Sequence, residues 1–230
     1  MATELQKQNF EKKLREYRKK YLAKKQNLEL DESATRIMVN YFLTDVLGYI
    51  ELDDIKTEYA IRGEYADYVI QLKRKKHFVI EVKAIQIDLN ERHLRQSLSY
   101  AANEGIDWIV LFNGKQIQLY RVIFGKPIDV HKVFDFDIAD LATIKTASRH
   151  LINLCKTSVA KGDMETYWKR FDALTTPNLI KQLYTADVIN CIRKKIKNSS
   201  GINFDNDDVL EAIHGLITEK HEATKPKSLK

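Results

Sequence analysis

With 230 residues, 44% of them hydrophobic and 30% charged, the chain has the balance of one large globular domain or two small ones. Eight glycines and three prolines exclude collagen-like, linker-like and proline-rich disordered classes and favour long uninterrupted elements. No apolar run approaches the roughly 18 residues of a bilayer span, and MATELQKQNFEKK at the start lacks the apolar centre of a secretory signal, so a cytoplasmic protein without a membrane segment is expected.

The net charge of +6 suits an anionic partner, and it is unevenly spread. Residues 1–26 hold nine Lys/Arg (Lys7, Lys12, Lys13, Arg15, Arg18, Lys19, Lys20, Lys24, Lys25) against three Glu, an excess equal to that of the whole chain. Residues 4–26 contain no Gly or Pro and repeat Leu5, Phe10, Leu14, Tyr17, Tyr21 and Leu22 near helical spacing, which predicts a helix. Its basic faces either meet nucleic acid or are simply solvated while the apolar stripe packs. Asp31 reads as the N-cap of a second helix over about 32–47, ended by Gly48, with Ile37, Phe42, Leu43, Val46 and Leu47 on its buried side.

Strands are expected at 55–62, 65–72 and 78–84, from β-branched and aromatic residues. The polar link Lys73-Arg74-Lys75-Lys76 makes a hairpin of the last two. Residues 89–103 fit a helix, with Leu94, Leu98, Ala101 and Ala102 on one side. A short buried strand at 107–112, the hairpin turn Asn113-Gly114 and a return strand at 116–122 follow. Beyond about 138 the pattern is helical, at 141–160, 163–174, 178–196 and 206–220. Thr185 and Asp205 or Asn206 are candidate caps, Pro177 and residues 198–201 read as breaks, and 219–230 as a frayed tail. Cys155 and Cys191 are too few for a disulfide framework or a zinc knuckle, and in their apolar contexts both are expected to behave as small core residues. The fold class is therefore α/β, one sheet covered by helices with a helical C-terminal region. Its segments are a basic N-terminal helix (1–27), the sheet domain (28–135), the helical region (136–218) and the tail.

Chemistry concentrates in the central hairpin. Asp67 interrupts one apolar strand, and Glu81 and Lys83 interrupt the next. Side chains alternate along a strand, so Glu81 and Lys83 share a face. A carboxylate and an ammonium on an apolar strand are costly unless paired, hydrated or used. The hairpin lets Asp67 approach Glu81, and two converging carboxylates invite a divalent cation. Oxygen donors suit Mg²⁺ or Mn²⁺. Lys83 would then orient or help deprotonate a metal-bound water, or stabilise charge on a phosphate. The competing reading is a structural Asp/Glu/Lys cluster at a sheet edge.

The pattern resembles the PD-(D/E)xK nuclease superfamily, and more narrowly the N-terminal nuclease domain of the type I restriction enzyme R subunit and its stand-alone relatives. Asp31-Glu32-Ser33-Ala34-Thr35-Arg36 resembles the N-E-A-x-T-R opening of that family, and Leu47-Gly48-Tyr49 its leucine-glycine-aromatic helix ending. Asp67 matches the D of the motif, Glu81-Val82-Lys83 the E-x-K, and Arg95-Gln96-Ser97-Leu98-Ser99-Tyr100 the Q-x-x-x-Y signature. Leu111-Phe112-Asn113-Gly114 with Leu119-Tyr120 resembles the T-N-G … Y closing hairpin. Ala66 stands in place of the motif proline and Phe112 in place of the threonine; neither is a metal ligand.

The resemblance spans about residues 28–122 and implies a restriction-endonuclease-like mixed sheet flanked by helices. It implies a metal-dependent DNA endonuclease in which Asp67 and Glu81 hold Mg²⁺ or Mn²⁺, the Val82 carbonyl is a third protein oxygen, and Lys83 assists the attacking water. Glu32 is the upstream acid, as a metal ligand, as an outer partner of one, or as an acid suited to a helix's first turn. Gln96 and Tyr100, four residues apart on one helix face roughly opposite Leu94 and Leu98, would position the DNA strand or hold Lys83. Lys73, Arg74, Lys75, Lys76 and Arg92 are candidate phosphate contacts, giving sequence-independent, salt-sensitive affinity.

The expected partners are DNA and other restriction-system subunits, with a dimer allowed and no membrane. The alternative is a non-catalytic DNA-binding or partner-docking module on the same fold. A small-molecule enzyme is the third option, but the chain has no G-x-G-x-x-G, no G-x-S-x-G and no histidine pair at metal spacing. It also lacks G-x-x-x-x-G-K-[ST], so an ATP motor of the kind R subunits carry would sit on another chain or go unused.

Overall fold

The computed structural model describes residues 2–61 and 64–218. The chain divides into two compact units, Met1–Trp168 and Lys169–Lys230. Arg62, the expected end of the first strand, and the tail at 219–230 lie outside the described residues.

In the first unit, α1 (Glu4–Tyr17) starts on a capping box at Thr3 and continues into a π-helical turn, Arg18–Leu22. Helix α2 (Glu32–Tyr41) starts where Asp31 Oδ1 accepts the Ala34 N–H, as its sequence predicts. It runs into a π-helical turn, Phe42–Val46, and ends at Gly48 (φ +80°), where the Tyr49 N–H returns to the Leu43 carbonyl. Strands β1 (Ile55–Ile61), β2 (Glu64–Leu72) and β3 (Lys75–Val82) form an antiparallel meander. Helix α3 (Leu94–Glu104) then crosses to β4 (Trp108–Phe112), which runs parallel to β3. Strands β5 (Gln116–Ile123) and β6 (Asp129–Asp137) complete a six-stranded sheet in chain order, with β3–β4 its parallel pair and the rest antiparallel. This mixed sheet with flanking helices is the α/β, restriction-endonuclease-like class that the motifs imply. A hairpin turn cannot join parallel neighbours, so the crossover needs a helix, and α3 provides it.

The two faces of the sheet are covered differently. On one, Leu94, Tyr100 and Ala101 of α3 pack on Val69, Val79, Ile109, Leu111, Tyr120 and Val122. On the other, Phe42 stands edge-on to both Tyr17 and Phe112, and Tyr49 packs on Phe78. The N-terminal helix therefore packs through its stripe: Phe10, Leu14, Tyr17 and Leu22 are buried, while Leu5 is exposed. The Tyr17 hydroxyl donates to the Gly114 carbonyl at 2.9 Å. Gly114 has φ +84°, and an added Cβ would lie 3.3 Å from Met38 Cε. We expect Gly114→Ala to lose about 1–2 kcal/mol through its left-handed backbone alone, measured as a shift of the urea midpoint.

The expected sheet had five strands; β6 is the sixth. Its sequence, DVHKVFDFD, alternates only in part, because three aspartates dilute the apolar pattern. The helix expected at 141–160 is broken into α4 (Ile144–Leu151), a 3₁₀ turn and α5 (Lys156–Ala160), because Cys155 is extended. Helix α6 (Asp163–Ala173) follows.

In the second unit, α7 (Thr176–Leu183), α8 (Ala186–Ser200) and α9 (Asn206–Thr218) are short helices. Ile189, Val209 and Ile213 form their buried centre, with Tyr184, Ile192, Ile196 and Ile217 packed against it. Pro177 does not break a helix but lies in the first turn of α7, where its missing N–H costs nothing. The 178–196 helix is two helices, with Thr185 at the N-cap position of α8. Ser199 and Ser200 stay helical, and Gly201 (φ +76°) ends α8. Two burial expectations are corrected as well. Ile37 faces solvent on α2, and Cys191 is exposed on α8, whereas Cys155 is partly buried. Among the described residues no helix is long and apolar enough to cross a membrane.

Candidate active site

The β2–β3 ladder ends with Tyr68 opposite Ile80. One residue further along β2, the Asp67 side chain takes over from the backbone. Its Oδ2 accepts the Val82 N–H at 2.7 Å, which seats the carboxylate at the middle of Glu81-Val82-Lys83. Its Oδ1 is 2.5 Å from Arg36 Nη2, and the same nitrogen is 3.0 Å from Glu32 Oε1. Glu32 and Arg36 are four residues apart on α2, so one turn of helix carries both. Burial pulls the Arg36 guanidinium down, but Asp67 and Glu32 outweigh it and hold its pKa above the ordinary value. Its Nε is buried without a hydrogen-bond partner among the described residues.

Glu81 is 4% exposed in the apolar, buried half of β3, Phe78 to Val82. Both of its oxygens are matched: Lys83 Nζ lies 2.5 Å from Oε1, and the Ser97 hydroxyl donates to Oε2 at 2.8 Å. A buried carboxylate needs this degree of compensation. Ser97 is itself fully buried on the sheet-facing side of α3. We expect Ser97→Ala to leave Oε2 without a donor and to destabilise the fold by about 1–3 kcal/mol, measured by urea unfolding.

Two further bonds bolt α2 to the site. The Tyr68 hydroxyl donates to the Arg36 carbonyl at 3.1 Å, and the buried Thr35 hydroxyl accepts the Ile85 N–H at 3.1 Å. The chain after Lys83 is held from the other side by Asn113, whose amide donates to the Ile87 carbonyl at 2.8 Å. The closing hairpin thus supports the loop that follows the E-x-K triplet.

The structure brings Asp67, Glu81, Val82 and Lys83 together. Glu32 reaches them only through Arg36, and no group of three or more His, Cys, Asp or Glu side chains forms a cation cage among the described residues. Gln96 is exposed, but Tyr100 is fully buried with Leu94 and Ala101. The two do not share an outward face opposite Leu94. Tyr100 belongs to the buried stripe, and Lys76 Nζ lies 5.9 Å from its ring centroid.

The basic turn is remote. Lys73 and Arg74 form a two-residue link with φ +48° and +68°, and Val82 lies seven steps along the strand from Lys75, about 23 Å at 3.3 Å per residue. Lys73, Arg74 and Lys75 are exposed, whereas Lys76 is paired with Glu104. Arg92 is exposed beside Leu89, Asn90 and Lys132.

Arg36 and Ser97 are functional residues that the motif pattern alone does not distinguish, although both lie within its segments. The signal for Arg36 is its i, i+4 spacing from Glu32. For Ser97 it is a small hydroxyl on the buried stripe of a helix that crosses over Glu81.

No curated protein and no solved structure matches the chain. Residues 31–129 match the family model for the type I restriction enzyme R protein N terminus. That segment runs from the N-cap of α2 into the first residue of β6 and contains every residue of the cluster just described. The likeness carried by the motifs therefore holds at the level of the family: over residues 31–129 the chain is similar to the N-terminal region of type I restriction enzyme R proteins.

Proposed function

We propose that the chain is a metal-dependent nuclease of the PD-(D/E)xK type, hydrolysing phosphodiester bonds in DNA. The observation that carries this reading is the Asp67 carboxylate on the Val82 N–H, which sets one acid of the motif into the Glu81–Lys83 segment. Asp67, Glu81 and the Val82 carbonyl are hard oxygen donors of the kind that suit Mg²⁺ or Mn²⁺. A bound divalent ion would supply acidified water and neutralise charge on the scissile phosphate.

The protein's own groups do the rest. Lys83, anchored on Glu81 at 2.5 Å, presents an ammonium beside the acids, where it can orient the attacking water and stabilise charge on phosphoryl oxygens. Gln96 is exposed on α3 one residue before Ser97, which ties that helix turn to Glu81, and is suited to contact the strand being cut. Tyr100 supports α3 from the core. Lys73, Arg74, Lys75 and Arg92 serve as backbone contacts away from the cutting point. DNA is thus the proposed partner, with other subunits of a restriction system as further ones.

A second reading has one observation in its favour. Each oxygen of Asp67 and Glu81 already has a protein donor, as in a structural cluster. On that reading the domain binds DNA or a partner without turnover. Nicking of supercoiled plasmid at low salt, with Mg²⁺ or Mn²⁺ and with EDTA as control, separates the two. The nuclease reading expects cutting that EDTA abolishes; DNA binding with no cutting under either metal would overturn it.

A further inference from the structure

We infer that Arg36 is a positioning residue and that Glu32 acts through it rather than as a ligand of the cation. This rests on the metal-dependent reading of Asp67 and Glu81 given above. Glu32 spends Oε1 on Arg36 Nη2 at 3.0 Å, and that nitrogen holds Asp67 Oδ1 at 2.5 Å. The other Asp67 oxygen is fixed by the Val82 N–H at 2.7 Å. The carboxylate is therefore clamped from both ends, by a helix on one side and by the E-x-K strand on the other. The helix turn is itself anchored, through the Arg36 carbonyl to Tyr68 and through Thr35 to Ile85. Glu32 is at the far end of this chain of contacts. Its side chain is 40% exposed against 14% for Asp67, and it joins no cation cage among the described residues.

Charge counting and positioning predict opposite signs. Glu32, Asp67 and Glu81 oppose Arg36 and Lys83, so the cluster is one negative charge in excess. If Arg36 were only a counter-charge, Arg36→Gln would strengthen binding of a divalent cation. If it holds Asp67 in place, the same change weakens binding, as loss of an outer partner of a metal ligand commonly does by about 10–100-fold.

The test is Mn²⁺ binding to the full chain, followed by electron paramagnetic resonance of the free ion, with circular dichroism to check folding. We expect Asp67→Asn to abolish binding and Arg36→Gln to weaken it by about 10-fold or more. Arg36→Lys should recover part of the loss, and Glu32→Gln should change affinity by less than about 3-fold, since it leaves the guanidinium on Asp67. Tighter binding by Arg36→Gln overturns the positioning role, and loss in Glu32→Gln equal to that in Asp67→Asn restores Glu32 as a ligand.

A wild-type chain that binds no Mn²⁺ overturns the metal reading instead. The Arg36–Asp67 clamp then stands or falls on thermal melts. With the clamp, the double variant Arg36→Gln/Asp67→Asn melts no lower than Asp67→Asn alone. Additive losses in melting temperature overturn it.

Discussion

Lys83→Ala is expected to lower metal-dependent plasmid nicking by at least about 100-fold while leaving DNA binding at low salt within a few-fold of wild type. The lysine pairs with Glu81 Oε1 and is about a quarter exposed, so it faces the open side of the site rather than the core. Removing it takes away the ammonium that would steady the attacking water or the phosphoryl oxygens, and removes nothing that seats Asp67. A fall in cutting with unchanged binding identifies it as a group needed mainly in the transition state. Equal losses of binding and cutting would instead make it an ordinary backbone contact. Full activity in the variant would place the chemistry elsewhere. Asp67→Asn should fall at least as far, since it loses a carboxylate charge yet keeps an oxygen able to accept the Val82 N–H.

The largest effect on stability is expected from Phe42→Ala, at about 3–5 kcal/mol. Phe42 is fully buried, with its ring centroid 5.1 Å from Tyr17 and 4.8 Å from Phe112. It therefore joins the basic N-terminal helix to the centre of the sheet. The cavity left by truncation would weaken both contacts, because neither a strand nor a helix anchored by several other bonds can collapse into it. Urea unfolding followed by far-ultraviolet circular dichroism measures the loss. A change below about 1 kcal/mol would mean that the site repacks and that the aromatic chain is not what fixes the helix.

The parts of this fold that were legible in the sequence are those whose signals are local. The Asp31 cap, the glycine end of α2, and the two central hairpins each depend on a few adjacent residues. The sixth strand was not legible, because β6 owes its place to pairing with β5 across eight residue pairs, and its own sequence is half polar. Pro177 marks the boundary between two helices but not its side, because a proline that follows a helix and one that begins the next look alike until the cap is known. At the site, the D … E-x-K spacing located the acids and the lysine. The two partners it did not pick out, Arg36 and Ser97, come from helices on either side, and alternation along a strand says nothing of what a helix lays over it. Tyr100 shows the converse: four-residue spacing from Gln96 suggested a shared function, but a helix face is wide enough for one of the pair to be buried and the other not.

Because the strands lie in the sheet in the order in which they occur in the chain, no strand has to wait for a distant part of the sequence to supply its neighbour. The residues that meet at the site all fall between Glu32 and Ser97. The acids and the lysine are therefore in hand after the first three strands, and α3 adds Ser97 before β4 exists. A cluster so contiguous can be moved between proteins as a single block of coding sequence, with other domains joined behind it and no need to reassemble the site from distant parts.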